Sequence, residues 1–314
     1  MHIVLPGALP DPEAARALLP HLHEAAPTFT GWLARGRARL RTVEPAASGC
    51  TAYEQWQLER AGFKPDPQQN LSAGLGPLWA SGGGLAPDQP IWLAELVHMA
   101  PTQSSTAMLA SHALHITPDQ SVALFESAQT LFEGTGFQLH HDSDERWRIG
   151  VPASCAFNGA SPALVAATSV NDWWPQQEAA RPWRRLFNEI QMLWYGHPAN
   201  AARANQGLPP INGLWLFGGA RPEQLQTPAS PGEARRYEAL QAPFMAQDWG
   251  GWLAALAELE AQVFLPLQQQ DVQPVLVLAG RSELATLEPR ILARWTQWLP
   301  GGRNTWSKWW LYRN

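Results

Sequence analysis

The sequence predicts a layered α/β protein, a sheet flanked by helices. Short apolar runs suited to buried strands occur at His2–Leu5, Leu214–Phe217 and Val275–Ala279. Between them lie segments with helical periodicity, clearest in Trp183–Tyr195, where Trp183, Leu186, Phe187, Ile190, Leu193 and Trp194 recur at three- and four-residue spacings. The two kinds of segment alternate along the chain, the order that layers helices on a sheet.

The elements fall into three zones, 1–75, 85–221 and 222–314. In the first, strand His2–Leu5 turns through Pro6-Gly7, and helices are predicted at Pro12–Leu19, Trp32–Leu40 and Tyr53–Ala61. Arg35, Arg37, Arg39 and Arg41 alternate, so on a helix they spread around a solvated surface rather than forming one phosphate clamp. Prolines in Lys64–Gln69 and glycines from Gly74 to Gly84 mark the first boundary. No Lys-Ser/Thr follows those glycines, so they do not form a phosphate loop.

In the second zone, Trp92–Val97 and Ala107–Ile116 read as strands. Thr117 is placed to cap a helix opened by Pro118, with Gln120 as capping partner. That helix presents Val122, Phe125, Ala128, Leu131 and Phe132 on one side and stops at Gly134. Phe137–His140 and Arg146–Val151 read as a hairpin around a polar loop. After Trp183–Tyr195, Gly196 offers a left-handed cap and Pro198 cannot continue the helix. A turn at Ala199–Gln206 ends at Gly207, and Pro209-Pro210 lead into the Leu214–Phe217 strand and Gly218-Gly219. The third zone has a proline-rich linker through Pro231, a helix at Trp249–Leu265, strand Val275–Ala279 and a helix at Glu288–Leu299. Its aromatic tail, Trp306, Trp309, Trp310, Leu311 and Tyr312, either docks a partner or folds back on the core.

Composition narrows the function classes. At 314 residues there is room for one large or two ordinary domains, and 17 tryptophans supply many buried anchors. A net charge of −5 leaves no footprint for nucleic acid or an anionic membrane. No segment approaches the roughly 20 apolar residues of a membrane helix, no start resembles a signal peptide, and the cytoplasm is the default expectation. Cys50 and Cys155 lack metal-ligand spacing and read as free buried thiols rather than a disulfide.

The best polar cluster is His197, Asn200, Arg203 and Asn212, with His98 as a further ligand-binding candidate. Arginine offers a donor fork for carboxylate or phosphate, and His and Asn can orient a small anion. The competing reading is structural: Asn200 and Asn212 satisfy loop backbone, His197 caps the preceding helix and Arg203 pairs with Glu189. His140, His141, Asp142 and Asp144 carry metal-capable groups, but adjacent strand residues face opposite ways. His112 and His115, three apart on a strand, diverge in the same manner. His98 with Ser104 and Ser105 lacks the Gly-x-Ser-x-Gly elbow of an activated serine. Trp173-Trp174 either line a pocket mouth or cover the core edge. No metal or cofactor is expected.

The order His197-Pro-x-Asn200, then Arg203, then Gly207-Leu-Pro-Pro-x-Asn212, then Leu214-Trp-Leu and glycines resembles a segment of archaeal-type cofactor-independent phosphoglycerate mutases. The span from Trp79 to Arg221 resembles more closely a bacterial family known as phosphoglycerate-mutase-like or RpfE-type regulatory proteins. Trp92-Leu93 with His98, the 114–132 block, Phe137–Trp147 and Asn188–Met192 support the likeness. The resemblance implies an alkaline-phosphatase-like core, in degenerate form here, with two divalent metals on Asp and His ligands and a serine nucleophile. The chain departs from that pattern. His2–Leu5 runs into Pro6–Pro10 where the enzymes carry a metal-binding Asp-Gly, Asp11 comes late, and no histidine follows His197. No Asp-Ser-Gly-like turn occurs, and Met99–Ser105 stands where relatives carry an Arg/Asp-rich loop. The expectation is a non-catalytic regulatory or binding protein engaging a small anion or a protein partner. The alternative is a metal-dependent phosphomutase or phosphohydrolase on a small phosphorylated metabolite.

Overall fold

In the computed structural model, residues 1–81, 88–103, 105–226, 234–289 and 306–311 are described. Their strands are β1 (His2–Pro6), β2 (Arg37–Thr42), β3 (Ile91–Pro101), β4 (Thr106–Leu109), β5 (Gln138–His141), β6 (Arg146–Gly150), β7 (Gly213–Ala220), β8 (Ala234–Arg236), β9 (Val275–Ala279) and β10 (Glu283–Glu288). The chain divides into two units, one of residues 1–44 with 229–314 and one of residues 45–228. Both are sheets flanked by helices, so the architecture is mixed α/β. No described helix is long and apolar enough to cross a membrane.

The first unit is a sheet of order β2-β10-β9-β1-β8. β1 is apolar almost throughout because it is interior and runs parallel to both neighbours, with Val4 opposite Val277 and Arg236. Ile3, Leu5, Leu276, Leu278, Ala285 and Leu287 pack beneath helices Pro12–Ala25, Pro27–Arg35, Trp249–Leu259 and Trp306–Leu311. The predicted Arg-rich helix breaks at Arg35, and Arg37–Thr42 is instead an edge strand paired antiparallel with β10. The alternating arginines have the two-residue period of a strand, and charge on an exposed edge discourages edge-to-edge pairing. Arg39 also reaches Glu288 at 3.4 Å.

The predicted Trp249–Leu265 helix continues to Gln269 through a π turn at Glu260–Phe264. Buried Glu260 accepts from the backbone N–H of Thr28 (2.9 Å) and Phe29 (3.2 Å), placing its carboxylate at the start of helix Pro27–Arg35. The tail folds back: Trp310 is fully buried and meets Phe29 edge-on at 6.3 Å. The helix expected at Glu288–Leu299 lies outside the described residues beyond Pro289, and Glu288 ends β10.

In the second unit β3 is the hub, antiparallel to β7, β6 and β4, with β5 completing a hairpin on β6. Its alternation sorts two cores. Trp92, Ala94 and Leu96 join Trp147, Ile149, Leu214 and Leu216 beneath helices Pro118–Phe132 and Arg181–Tyr195. Leu93, Val97 and Met99 join Leu58, Leu75, Leu164, Trp215 and Phe217 on the other side. Residues 45–81 therefore pack with this unit, through Leu58 and Leu75, and the zone boundary expected at 75–85 gives way to one at 44/45.

Thr117 and Gln120 form the expected reciprocal capping box. The buried stripe of that helix is Ser121, Leu124, Ala128 and Phe132, whereas Val122 is 43% exposed. Ser121 is inside because its hydroxyl accepts from the Trp147 indole N–H at 3.3 Å. The strand expected at Ala107–Ile116 ends at Leu109 and gives way to a 3-10 turn at Ser111–Ala113, with His115 at φ 49°. Gly196 closes its helix at φ −102°, without the left-handed conformation expected of it.

Candidate functional site

The structure gathers the five sequence-predicted residues around the loop at 206–212, and there they brace main chain. Buried Asn200 donates to the carbonyls of Trp194 (2.9 Å) and Ile211 (2.8 Å) and accepts from Ile211 N–H (2.8 Å). Arg203, with 0% exposure, donates to the Pro209 carbonyl (2.8 Å), Gln120 Oε1 (2.7 Å) and the Leu114 carbonyl (2.7 Å). The Asn212 amide accepts from Met99 N–H (2.7 Å) and donates to the Met99 carbonyl (2.8 Å), standing in for one more rung of the β3–β7 ladder. His98 Nδ1 donates to the Pro210 carbonyl at 2.8 Å. His197 accepts from Ala199 N–H at 3.2 Å, capping the helix that follows rather than the one before. Glu189 pairs with Arg185 at 3.0 Å, not with Arg203. A guanidinium with no exposed surface has no face to offer a ligand, so Arg203 serves here as scaffold, with Asn200 beside it.

Among the described residues, those at the carboxyl ends of β1 and β9 do not fit the two metals implied by the family resemblance. At the carboxyl ends of β1 and β9, where ligands lie in open α/β sheets, the chain turns through Gly7 at φ 76°. Leu9 donates its N–H to the Ala279 carbonyl at 3.3 Å, and the Leu9 carbonyl lies 2.7 Å from where a Cβ on Gly280 would stand. Asp11 is held by Arg281 at 3.4 Å. Among the described residues no three His, Cys, Asp or Glu side chains group closely enough to hold a metal ion. His141 contacts Ser121 at 3.4 Å and packs edge-on against Phe125, and Asp142 accepts from the Ser81 N–H, so these two serve local contacts. Trp174 packs on Phe187 and Trp215, and the Trp173 indole donates to Thr168, so this pair covers the core edge.

A cavity of about 750 Å³ does open within the second unit, beside the end of β7. Trp92 and Phe157 form its aromatic wall, with ring centroids 5.4 Å apart and planes tilted by 43°. Gly219 is required there: at φ 106°, a Cβ would stand 2.5 Å from the Trp92 ring. Gln69 donates to the Gly219 carbonyl at 3.1 Å, and Asn158 bridges Asn70 N–H (3.1 Å) and the Gln68 carbonyl (2.9 Å), fixing the rim. The charged lining residues are Asp66 and Arg221. The Arg221 guanidinium meets Glu223 at 2.7 Å and Asp66 at 3.3 Å, and the Glu223 hydrogen bond raises its pKa further. The glycine pair after the Leu-Trp-Leu strand is visible in the sequence; its meeting with Trp92 depends on the β3–β7 pairing, which brings Trp92 opposite Gly218.

Away from the cavity, Glu95 is buried on β3 opposite Arg146 of β6, whose Nε lies 3.9 Å away. It accepts from Ser111 N–H at 3.1 Å, while the Ser111 hydroxyl donates to Glu145 at 3.1 Å. Burial pushes the Glu95 carboxyl up to about 7, against the opposing pull of Arg146.

No known family profile matches the chain. A curated protein described as a probable 2,3-bisphosphoglycerate-independent phosphoglycerate mutase, from Geobacter sulfurreducens, is 28% identical over 162 residues. That match covers 50% of this chain and 40% of the relative's length. Two solved structures, a cofactor-independent phosphoglycerate mutase from Thermoplasma acidophilum and the PH0037 protein from Pyrococcus horikoshii, align over 91% of this chain and over 88% and 86% of theirs. Their identities are 11% and 13% and their TM-scores 0.33 and 0.42, a likeness too slight to carry a functional argument. The chain is a distant relative of the cofactor-independent phosphoglycerate mutases.

Proposed function

We propose that this protein is a non-catalytic relative of the cofactor-independent phosphoglycerate mutases that acts as a binding or regulatory protein, holding a small molecule in the cavity beside β7. The observation that carries this reading is the chemistry at the carboxyl ends of β1 and β9. Two-metal phosphoryl transfer needs several anionic and imidazole ligands converging on the attacking and leaving oxygens. Here the main chain of Leu9 packs against Ala279 and Gly280, and the nearby carboxylate, Asp11, is neutralised by Arg281. The cavity, in contrast, has the size and the mostly apolar lining with few polar groups that small-molecule sites share.

The test is metal content of protein purified without chelator, together with interconversion of 3-phosphoglycerate and 2-phosphoglycerate under added manganese. Protein without stoichiometric metal and without turnover is the expected result. Stoichiometric metal with turnover overturns the reading in favour of the metal-dependent phosphomutase.

A further inference from the structure

We propose that two copies of the chain associate through the outer face of helix Arg181–Tyr195, lying antiparallel about a two-fold axis at Asn188. Arg181, Arg185, Asn188, Met192 and Tyr195 alternate spacings of four and three residues, so they form one stripe along the helix. All five are exposed, and the stripe lies opposite the buried one of Trp183, Leu186, Phe187, Ile190 and Trp194. Its C-terminal half is apolar. Met192 is 78% and Tyr195 92% exposed, more than any other large apolar side chain among the described residues.

Charge selects the occupant and its direction. The N-terminal turns carry Arg181, Arg184 and Arg185 with no acidic residue in the first turn, and the last turn holds no basic residue. That is the reverse of what the helix dipole favours, cations at its positive end and none at its negative end. An antiparallel copy corrects both ends at once, because each arginine-bearing end lies along the other copy's last turns. Arg184 is held locally by the Pro175 and Gln177 carbonyls (2.7 and 2.8 Å) and Arg185 by Glu189 (3.0 Å), whereas Arg181 makes no hydrogen bond or ion pair among the described residues. Arg181 and Tyr195 stand equally far from Asn188 along the helix, so the pairing sets each Arg181 guanidinium on the other copy's phenol ring. Arg185 and Met192 are matched in the same way. Asn188 falls on the axis, where an amide that both donates and accepts bonds its own copy. A parallel pair would instead set arginine on arginine. The 15-residue helix is about 22 Å long, a small contact, so the dimer is weak, with a Kd on the order of 10 µM.

Analytical sedimentation of the full chain from about 1 to about 300 µM tests this, with the 34.6 kDa monomer expected at the low end and the dimer at the high end. Tyr195→Glu and Arg181→Glu, both at exposed positions, should each weaken association about tenfold. Thermal melts at the dilute end, where the chain is monomeric, separate lost association from lost folding. Asn188→Cys should close a disulfide between copies on mild oxidation, because the axis brings that position onto itself. Arg181→Cys, about 20 Å from its own copy, should not. Cys50 and Cys155 are buried, so the parent chain under the same oxidation should stay uncross-linked. A chain that remains monomeric at the highest concentration overturns the proposal, as does a dimer indifferent to both glutamate variants. Cross-linking of Arg181→Cys in preference to Asn188→Cys overturns the antiparallel arrangement.

Discussion

Glu95 shows how one buried residue can set the response of the protein to pH. Its carboxyl titrates near 7 in the folded chain against an ordinary value of 4.5, because burial penalises the charged form. The folded state therefore binds more protons than the unfolded one between those values. Glu95's contribution to stability is fully present below about pH 4.5 and is lost as pH rises through about 7. Glu95→Gln keeps an acceptor for Ser111 N–H and cannot ionise. Its stability should exceed that of the parent at pH 8 by roughly 3 kcal/mol and match it near pH 4, read from urea unfolding at both values. Arg203 is the opposite case, a buried charge repaid by three acceptors. Arg203→Ala strands the Leu114 and Pro209 carbonyls and should cost about 3–5 kcal/mol in the same measurement. Arg203→Lys should recover little of it, since one ammonium cannot span the fork.

At the scale of elements, agreement between sequence and structure follows how local the determining interaction is. The capping box of Thr117 and Gln120 involves residues three apart and is legible in the chain, as are the β5–β6 hairpin and the stripe of Arg181–Tyr195, apart from Leu193, which is exposed. Thr117→Ala should lower stability by about 1 kcal/mol by circular dichroism melts, with Gln120 retained by Arg203. Arg37–Thr42 went the other way: its residues permit a helix, and the ladder to β10, more than 240 residues along the chain, makes it a strand. The break comes at Gly36, where any Cβ would strike the Leu287 side chain at 2.5 Å. Ser121 is buried and Val122 exposed for a similar reason, because the Trp147 indole N–H needs an acceptor inside the core.

For the whole molecule, the decisive feature is that the first unit is assembled from both ends of the chain and the second is contained within it. Each has its own core, one built on Ile3 and Leu278, the other two on the faces of β3. Chemical unfolding should therefore depart from a single transition, with far-ultraviolet dichroism and tryptophan fluorescence giving different midpoints; coincident curves would show that the two units unfold as one. The composition, the alternating elements, the capping box of Thr117 and Gln120 and the Leu-Trp-Leu-Phe strand were determined by the sequence, since each depends on residue type or short spacing. The tertiary structure alone decided that Asn200, Arg203 and Asn212 serve the backbone, because carbonyls such as Leu114 O and Pro209 O cannot be assigned partners until the chain is folded. It also made the cavity, by laying Gly219 of β7 against Trp92 of β3 and bringing Asp66 to Arg221 across 155 residues of chain, contacts that come from strand pairing and not from any local pattern.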